Sequence, residues 1–448
     1  MFENIVNTAF WGSYIIFFLF LVFAIIVSFN EKESKAAIKI FSFLILITFV
    51  YIPFIFIDTN TTTILKALIL LLLIIALLFF FIPYKKNVDF SKNYPQKRYD
   101  ERKVIFSRML LKNENAKFKT FYNDYPELKD VDKKIKELPG LLSSQASLYN
   151  KYLCTATDSF FSLTEFCREK VSSNKSKEKT QYDNHKIIKI IHELGRINRI
   201  HSIGITTLKN YHLYSIRGRG KDYGKEVIKT HKTAIVFTVE MDKKMISYAP
   251  QAPAVLESSN KYLHAATFAI TLADFINKLG YDARAHIDGD YELICPLVAR
   301  DAGLGEIGRM GILITPDLGP RVRIAAVTTE MQLPENKYKP DASVINFCNL
   351  CKKCANNCPS KAISFNNREI IDGALRWTIN MEKCYTYWCK TGTDCGRCVS
   401  VCPYSHENNL LHMLIRKAIR NNYNFLKLAV KMDDYLYSKY PKIKKSPF

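Results

Sequence analysis

Two groups of cysteines have the spacing of iron–sulfur ligands. The first group follows the pattern C-x-x-C-x-x-C-x-x-x-C-P and comprises Cys348, Cys351, Cys354 and Cys358. The second follows C-x10-C-x-x-C-x-x-x-C-P and comprises Cys384, Cys395, Cys398 and Cys402. In a run of this type three thiolates hold one cluster, while the three-residue step and the proline direct the fourth cysteine to another cluster. The spacing therefore predicts electron transfer through two [4Fe–4S] clusters.

Crossed ligation divides these cysteines between the two clusters. One cluster takes Cys348, Cys351, Cys354 and Cys402, and the other takes Cys358, Cys384, Cys395 and Cys398. Zinc and purely structural thiols are the alternatives, but the interleaved order with two C-P endings favours iron. Cys389 is a second choice for the place of Cys384, because it lies inside the second motif at a less usual spacing. The remaining cysteines are interpreted as free buried thiols: Cys154, Cys167, Cys295 and Cys389.

The composition bounds the class of protein. The 448 residues are enough for two or three domains with sizeable cores. The 12 cysteines are too few for a disulfide scaffold at this length, and clusters are assembled on reduced thiols, which favours the cytosol. The formal net charge of +22 is spread over the chain rather than gathered in one arm, and no nucleic-acid-binding motif accompanies it. We therefore expect a solvated basic face close to anionic lipid, and no nucleic-acid partner.

Three apolar stretches open the chain and predict a membrane anchor. Residues 14–29, 40–57 and 67–84 are each near the length that crosses a bilayer core as a helix. Aromatic residues of the interfacial type lie near their ends: Trp11, Tyr14, Tyr51 and Tyr84. A secretory signal is the alternative for the first stretch, but a basic n-region and a small-residue cleavage site are missing from it. We therefore predict three transmembrane helices within residues 1–84.

The charges of the connections predict the orientation of this anchor. The first connection carries Lys32, Lys35 and Lys39, the connection between the second and third stretches has no cation, and Lys85 and Lys86 follow the third. The positive-inside rule then places the first connection and everything after residue 84 on the cytoplasmic side of the inner membrane, with the N-terminus outside. The absence of a twin-arginine signal near the start agrees with a catalytic part that is not exported.

The rest of the chain predicts helices and strands around the cysteine motifs. Residues 85–140 are polar and basic and are interpreted as an irregular linker with short helices, whereas 142–168 and 187–194 have helical apolar spacing. Strands are predicted at 233–239, 281–287, 292–296 and 321–328, with a helix at 255–279 that stops at Gly280. Alternating strands and helices indicate an α/β layer with a glycine-dense segment at its edge.

The glycine-dense segment offers a binding surface. It contains G-x-G-x-x-G, namely Gly303, Gly305 and Gly308, and continues to Gly311. As a dinucleotide fingerprint it is weak, because it does not follow a clear strand in a βαβ unit and no acidic residue stands at the right distance. The glycines are better explained if they let the backbone approach a large flat cofactor or a cluster.

These residues together resemble a known family. The stretch ICPLVARDAGLGEIGRMGILITPDLGPRVRIAAVTTEMQLP, followed by FCNLCKKCANNCPSKAI and RWTINMEKCYTYW, looks like the reductive dehalogenases, corrinoid and iron–sulfur enzymes that are related to the epoxyqueuosine reductases. The resemblance runs over residues 230–404. It implies an α+β protein in which a nitroreductase-like α/β core binds cobalamin beside a bacterial-ferredoxin-like domain with two [4Fe–4S] clusters. An Asp-x-His-x-x-Gly cobalamin motif is absent, so cobalamin binding follows from the resemblance alone.

The resemblance also implies a chemistry. Such enzymes reduce cobalt through the clusters, remove halide from an organohalide, and protonate the remaining carbon from a tyrosine whose pKa a nearby cation lowers. In this sequence Tyr248 falls in the corresponding region, and Arg309 is the best cationic partner. The plainer alternatives are that Tyr248 is an ordinary half-buried tyrosine and that Arg309 pairs with Glu306. His286, Asp288 and Asp290 are further polar groups near the expected pocket, although positions in a surface turn are the safer explanation for the two aspartates.

The sequence therefore predicts a domain order and a set of partners. We expect a membrane anchor at 1–84, a linker with helices at 85–225, the corrinoid-binding core at 226–340, the ferredoxin-like domain at 341–410 and a basic helical tail at 411–448. The expected partners are membrane lipid, a small halogenated substrate and a low-potential electron donor. Two alternatives remain open: a corrinoid-dependent reductase of another bond, as in the epoxyqueuosine relatives, and a corrinoid-free membrane-bound electron-transfer protein.

Overall fold

The computed structural model describes residues 1–57, 59–112 and 115–448. They form two compact units. The anchor unit comprises Met1–Val88 and Glu407–Pro441, and the core unit comprises Asp89–His406 and Lys442–Phe448. The chain therefore passes from the anchor unit into the core unit and returns to the anchor unit through its last helices.

The secondary structure is mostly helical. The α-helices are α1 Phe2–Asn30, α2 Ser34–Tyr51, α3 Pro53–Phe56, α4 Asn60–Phe81, α5 Ile105–Met109, α6 Ala116–Asp124, α7 Lys129–Lys136, α8 Lys151–Cys167, α9 Asn184–Ile197, α10 Lys243–Ser247, α11 Ala252–Lys278, α12 Cys295–Asp301, α13 Ala342–Cys351, α14 Lys353–Asn356, α15 Met381–Thr391, α16 Arg397–Ser400, α17 Leu410–Asn421 and α18 Tyr423–Tyr437. The strands are β1 Ser202–Thr207, β2 Thr233–Glu240, β3 Ala283–His286, β4 Glu306–Ile307, β5 Leu313–Ile314, β6 Val322–Thr329, β7 Glu369–Ile371 and β8 Ala374–Arg376.

Three N-terminal helices are long and apolar enough to cross a membrane. They are Phe2–Asn30, Ser34–Phe56 and Asn60–Phe81, with mean hydropathies of 2.6, 2.3 and 3.1. This confirms the three apolar helices that the sequence predicts, with bounds that begin several residues earlier. Most of their large apolar side chains are exposed, as they would be if lipid rather than protein surrounded them.

The last two helices complete the anchor unit. Leu411 of α17 is buried in one apolar cluster with Leu21, Ala24, Ile40 and Leu44 of α1 and α2, and α18 packs against α2 and α4. The side-chain amide of Asn422 donates to the carbonyl oxygens of Phe79, at 3.1 Å, and Ile82. It thereby satisfies backbone acceptors that the end of α4 leaves without an intrahelical partner.

The core unit is built on a four-stranded antiparallel sheet. The strand order is β1-β2-β6-β3, and each neighbouring pair runs antiparallel. β2 and β6 are continuously apolar over most of their length because both faces are covered: α11 packs on one face and α12 on the other. The strands predicted at 233–239, 281–287 and 321–328 and the helix at 255–279 are confirmed. The helix predicted at 187–194 lies within α9.

One strand prediction is wrong. Residues 292–296 do not form a strand, because α12 begins at Cys295 with Pro296 in its first turn. Proline is well tolerated there, since it has no N–H to lose from the helix and its φ already fits. The short apolar run before it was therefore the entry to a helix.

The glycine-dense segment and the cysteine motifs lie in short elements of the core unit. The glycine-dense segment follows the end of α12 and runs into the β4–β5 hairpin. The first cysteine motif occupies α13 and α14, which meet at Lys352 with a left-handed backbone (φ 51°). The second occupies α15 and α16, with the β7–β8 hairpin between the motifs.

Candidate active site

The first predicted ligand set is brought together in the structure. Burial raises the pKa of the Cys402 thiol well above its usual range, and the neighbouring thiols of Cys348, Cys351 and Cys354 raise it further. Burial likewise raises the pKa of Cys354, with added contributions from Cys348, Cys398 and Cys351. Cys402 belongs to the second sequence motif, but the three thiols of the first motif influence its pKa electrostatically. Crossed ligation requires this arrangement.

The second set gathers in the same way. Burial raises the pKa of Cys398 to about 12, and the thiols of Cys384 and Cys358 contribute to the rise. Burial also raises the pKa of Cys384 to about 11, with Cys358 the next cause. For Cys395 burial is again first, followed by Cys398 and Cys384. Cys358 of the first motif thus lies with three cysteines of the second.

Each set suits a cluster better than it suits free thiols. Four neighbouring thiolates repel one another, and a bound metal group with positive charge removes that penalty. An all-sulfur donor set is the one that iron–sulfur clusters use. Cys389, the second choice of ligand, packs instead with Ile105 and Ile135 and is hydrogen-bonded to Tyr385.

Arg309 lies against the first ligand set. Its side chain is fully buried, and it donates from Nε to the carbonyl oxygen of Cys348 at 3.0 Å. Its Nη1 donates to the carbonyl oxygens of Ser364 and Asn366, each at 2.8 Å, and the guanidinium lies 4.9 Å from the centre of the Trp377 ring. Glu306, the alternative partner, accepts instead from the Tyr338 hydroxyl at 2.7 Å.

The glycines of this segment have mainly packing reasons. A Cβ on Gly305 would lie 2.3 Å from the carbonyl oxygen of Ile314, and one on Gly308 would lie 2.8 Å from the Ile314 side chain and 3.5 Å from the Cys348 sulfur. Gly311 adopts φ +70°, which favours glycine. Around Gly303 the nearest atom is a carbonyl oxygen at 3.9 Å, so its surroundings are open. A cofactor contact of these glycines stays a prediction, whereas the approach of Gly308 to a ligand sulfur is part of the structure.

Tyr248 lies at the end of α10 and is half-buried. This helix packs through Ile246 on Val399, near Cys398 of the second set. Among the residues that the structure describes, none makes a hydrogen bond or ring contact with the Tyr248 phenol, and the contacts of Arg309 are with other groups. The structure therefore does not bring this predicted pair together, and its catalytic role stays a prediction.

A different tyrosine has a cation against its ring. Tyr262 of α11 lies under the Arg323 guanidinium, 4.5 Å from the ring centre. Arg323 comes from β6, donates to the Ser258 hydroxyl, and forms an ion pair of 3.1 Å with Asp394, the residue before the predicted cluster ligand Cys395. Burial raises the pKa of Tyr262, the charge of Arg323 opposes that rise, and Asp288 and Asp394 add to it.

The burial and the residual exposure of these side chains indicate an internal cavity. Tyr262, Tyr291 and Arg323 lie so deep in the core unit that burial is the largest influence on the pKa of each. Each residue nevertheless keeps accessible surface, and the Arg323 side chain is 23% exposed. Accessible surface at that depth belongs to a cavity rather than to the outside. Arg323 Nε and Asp394 Oδ1 are buried polar atoms with no hydrogen-bond partner among the described residues. One hydrogen-bond donor and one acceptor of this region are therefore unsatisfied.

Of the other polar candidates that the sequence offered, one lies near the cavity and two are bonded within the supporting structure. Asp288 acts on Tyr262 and Tyr291 electrostatically and keeps 25% side-chain exposure. His286 is buried and bonded to the Thr328 hydroxyl at 2.9 Å, and Asp290 is paired with Arg284 at 2.9 Å. Only Asp288 of the three is thus placed to meet a ligand.

Tyr262 and Arg323 were missed because their local patterns are those of a core. The apolar spacing of 255–279 hides one tyrosine among many buried residues, and 321–328 was interpreted only as a buried strand. The usable signal was Arg323 itself, since its side chain points to the same face of β6 as the buried Ala325 and Val327. A charge on the inward face of a buried strand needs a partner or a function.

The comparisons with known proteins concern the iron–sulfur region and the family resemblance. Residues 347–406 match the family model of a 4Fe-4S dicluster domain. The tetrachloroethene reductive dehalogenase of Sulfurospirillum multivorans is 37% identical over 214 residues, which cover 46% of this chain and 42% of that protein. A tetrachloroethene reductive dehalogenase of Desulfitobacterium hafniense is 35% identical over 198 residues, which cover 42% of this chain and 35% of that protein. The epoxyqueuosine reductase of Lactococcus garvieae is 28% identical over 155 residues, 31% of this chain and 40% of that protein.

A solved structure has the same fold. The catabolic reductive dehalogenase NpRdhA in complex with 3-bromo-4-hydroxybenzoic acid matches with a TM-score of 0.64 at 20% identity, over 80% of this chain and 49% of that one. The resemblance to reductive dehalogenases predicted from the sequence is confirmed, as are the mixed α/β fold and an iron–sulfur domain. The chain spans less than half the length of the dehalogenases it matches.

Proposed function

We propose that this chain is a reductive dehalogenase-like oxidoreductase. The overall reaction takes an organohalide, two electrons and one proton to the dehalogenated product and halide. The observation that carries the proposal is the buried Tyr262, with Arg323 over its ring, in a cavity joined through Asp394 to a cluster-binding segment. A proton source and an electron source then meet at one enclosed place.

The electrons arrive through two [4Fe–4S] clusters. Cys348, Cys351, Cys354 and Cys402 hold one cluster, and Cys358, Cys384, Cys395 and Cys398 hold the other. The mutual electrostatic influence within each set supports this division. Each cluster passes one electron at a time, so two transfers are needed for each halide released.

A corrinoid bound in a nitroreductase-like core would supply the reducing cobalt centre. A solved relative at a TM-score of 0.63 is described as suggesting a mechanism for B12-dependent dehalogenation. In this chain the cavity with unpartnered Arg323 Nε and Asp394 Oδ1 fits a large ligand that accepts and donates hydrogen bonds.

Tyr262 supplies the proton. Because burial raises its pKa, the phenol is protonated at neutral pH and is able to donate from its hydroxyl oxygen. Arg323 favours the phenolate left after donation, so it lowers the cost of that step. Tyr248 is the alternative donor, with Arg309 as its cation, and lacks the contact that Tyr262 has.

The protein works at the cytoplasmic face of the inner membrane. Three spans hold it, the lysines of the first connection and of residues 85 and 86 face the cytoplasm, and a low-potential carrier reduces it. Protease added to intact spheroplasts should leave the core unit whole, whereas protease added to inverted vesicles should digest it. Digestion from outside would reverse the orientation.

Reconstitution tests the activity. The full chain is purified anaerobically in detergent, loaded with iron, sulfide and hydroxocobalamin, and reduced with titanium(III) citrate in the presence of tetrachloroethene or 3-bromo-4-hydroxybenzoate. We expect retained cobalamin absorbance and halide release. Cobalamin binding with reduction of an epoxide but no halide release would favour the epoxyqueuosine-reductase-like alternative. Failure to retain cobalamin would leave a corrinoid-free electron-transfer protein.

A further inference from the structure

We propose that Arg309 is a buried cation without a carboxylate partner that raises the reduction potential of the cluster held by Cys348, Cys351, Cys354 and Cys402. The two clusters then differ in potential, and this one is reduced first. The inference rests on the cluster part of the proposed function and is independent of the corrinoid and of dehalogenation.

The position of Arg309 is fixed by neutral groups. The guanidinium N–H groups of Arg309 donate to the carbonyl oxygens of Cys348, Ser364 and Asn366. The guanidinium also lies over the Trp377 ring. The cation is therefore held at the first ligand set without any change in its charge. One of its nitrogens, Nη2, is buried and has no hydrogen-bond partner in the part of the chain that the structure describes.

Three other buried arginines of the core unit are each paired with a carboxylate. Arg108 lies 2.7 Å from Glu382, Arg300 lies 2.9 Å from Asp301, and Arg321 lies 3.2 Å from Glu240. Within the described residues no carboxylate lies in ion-pair range of Arg309. A buried charge without a partner is expensive, and it persists where another charge offsets it.

The cluster supplies that offsetting charge. The thiols on which Arg309 acts electrostatically are Cys348, Cys351 and Cys354. Reduction adds one electron, and hence one negative charge, to a cluster that four thiolates already make negative. A fixed positive charge at this distance favours the reduced form, and low local polarity strengthens the effect.

The second ligand set has a more balanced environment. Asp394 acts on the thiols of Cys384 and Cys395 in the direction that opposes added negative charge. Arg397 acts on Cys395 in the other direction. Asp394 and Arg397 thus act on that set in opposite directions, whereas Arg309 is the cation that acts on the thiols of Cys348 and Cys354 in the first set.

The chain offers a matched control. Arg368 lies on the same Trp377 ring, with its guanidinium carbon 5.8 Å from the ring centre. The charged groups that act on it are Glu306 and Asp89, and no cysteine is among them. Arg368→Gln therefore removes a cation from the same aromatic contact without removing one from a cluster.

Redox titration of the purified full chain, followed by electron paramagnetic resonance, tests the inference. Iron and sulfide content are measured first, so that loss of a cluster is distinguished from a change in its potential. Wild type should show two separate midpoints. When the solution potential is set to the higher of the two wild-type midpoints, Arg309→Gln should lower the reduced-to-oxidised ratio of the first-set cluster about tenfold. The same substitution should leave the other cluster unchanged. Arg309→Lys, which keeps the charge, should hold the ratio within about threefold, and Arg368→Gln should leave both midpoints in place.

Several results would overturn the inference. If the two clusters of the wild-type protein had indistinguishable midpoint potentials, the inference would be refuted without any variant. An Arg309→Gln protein with full iron content and unchanged potentials, or an equal fall at both clusters, would also refute it. An Arg309→Lys protein as strongly affected as Arg309→Gln would assign the residue to holding carbonyl groups rather than to electrostatics. Absence of iron from wild type would instead refute the cluster part of the proposed function.

Discussion

Two clusters of arginine, aspartate and tyrosine lie on opposite faces of the central sheet, and they differ in how far the hydrogen bonds of their carboxylates are completed. On the α12 face, Asp301 accepts from His212 at 3.0 Å and Arg300 at 2.9 Å. It also accepts from Tyr211 and pairs with Lys209 at 3.3 Å. On the α11 face, Arg323 and Asp394 pair with each other but keep unpartnered atoms, and Tyr262 makes no hydrogen bond within the described chain.

The difference separates scaffold from site. A carboxylate with four partners has nothing left for a ligand, and its charge holds the elements around it in place. A cavity wall with unsatisfied donors and acceptors carries a standing cost that a bound ligand removes. The same residue types therefore stabilise one face of the sheet and bind or react on the other.

Tyr262→Phe should have the largest effect on activity. Loss of a positioned proton donor costs roughly 10²–10⁴ in rate, so halide release should fall by that factor while iron and cobalamin content stay at wild-type values. The matched change on the other face, Tyr211→Phe, should leave halide release within about threefold, since it removes one of several bonds to Asp301. Equal losses in the two variants would abolish the distinction between the faces.

Asp301→Asn should have the largest effect on stability. It leaves Arg300 without its carboxylate, and breaking a buried pair costs about 3–5 kcal/mol. Burial raises the pKa of Asp301, but the bond from His212 and the charge of Arg300 outweigh it and hold the pKa well below its usual range. The stabilisation is therefore present above the unfolded-state pKa of about 3.9 and is lost as pH falls below it. Thermal unfolding by circular dichroism should show a gap from wild type at pH 7 that narrows below about pH 4.

Arg323→Gln should have an intermediate effect and a diagnostic pH profile. The cation opposes the rise in the pKa of Tyr262, so its removal should raise that pKa further and make the phenol a weaker acid. We expect halide release to fall by about tenfold to a hundredfold, with partial recovery in Arg323→Lys. An unchanged rate would remove Arg323 from the site.

Asp394→Asn should have the smallest effect, with the opposite sign on the tyrosine. The carboxylate raises the pKa of Tyr262, so its loss should lower that pKa and shift the alkaline limb of the rate profile to lower pH. Arg323 keeps its bond to Ser258, and we expect a rate change within about tenfold. A shift of the profile in the same direction as for Arg323→Gln would show that the two residues act by holding the fold rather than by charge.

The parts of this molecule that the sequence predicted are those whose signals are local. Cysteine spacing is set by the geometry of a cluster, and span length is set by the thickness of a bilayer, so both can be read from short stretches. The 255–279 helix and the 233–239 strand follow their apolar periodicity for the same reason. The entry to α12 was missed because a stretch as short as Leu293, Ile294 and Cys295 fits a strand as well as a helix start.

The proposed catalytic pair was harder to predict because it is assembled by tertiary packing. Tyr262 and Arg323 come from different elements and meet only when α11 packs on β6. Arg309 stood out in a glycine-rich run and was assigned to Tyr248, but the β4–β5 turn directs it to the Cys348 carbonyl instead. The position of a cation in the sequence does not show which anion or aromatic ring it will contact in the folded protein.

The return of the last helices to the anchor unit limits how this protein can be shortened. A version that begins after α4 but keeps α17 and α18 would present Leu411 and Ile415, now covered in the apolar cluster with α1 and α2, to water. We expect such a truncation to aggregate. A detergent-free preparation should therefore omit residues 407–441 along with the first 88, even though the final residues, where the Ser446 N–H donates to Gln251, fold with the rest of the catalytic part.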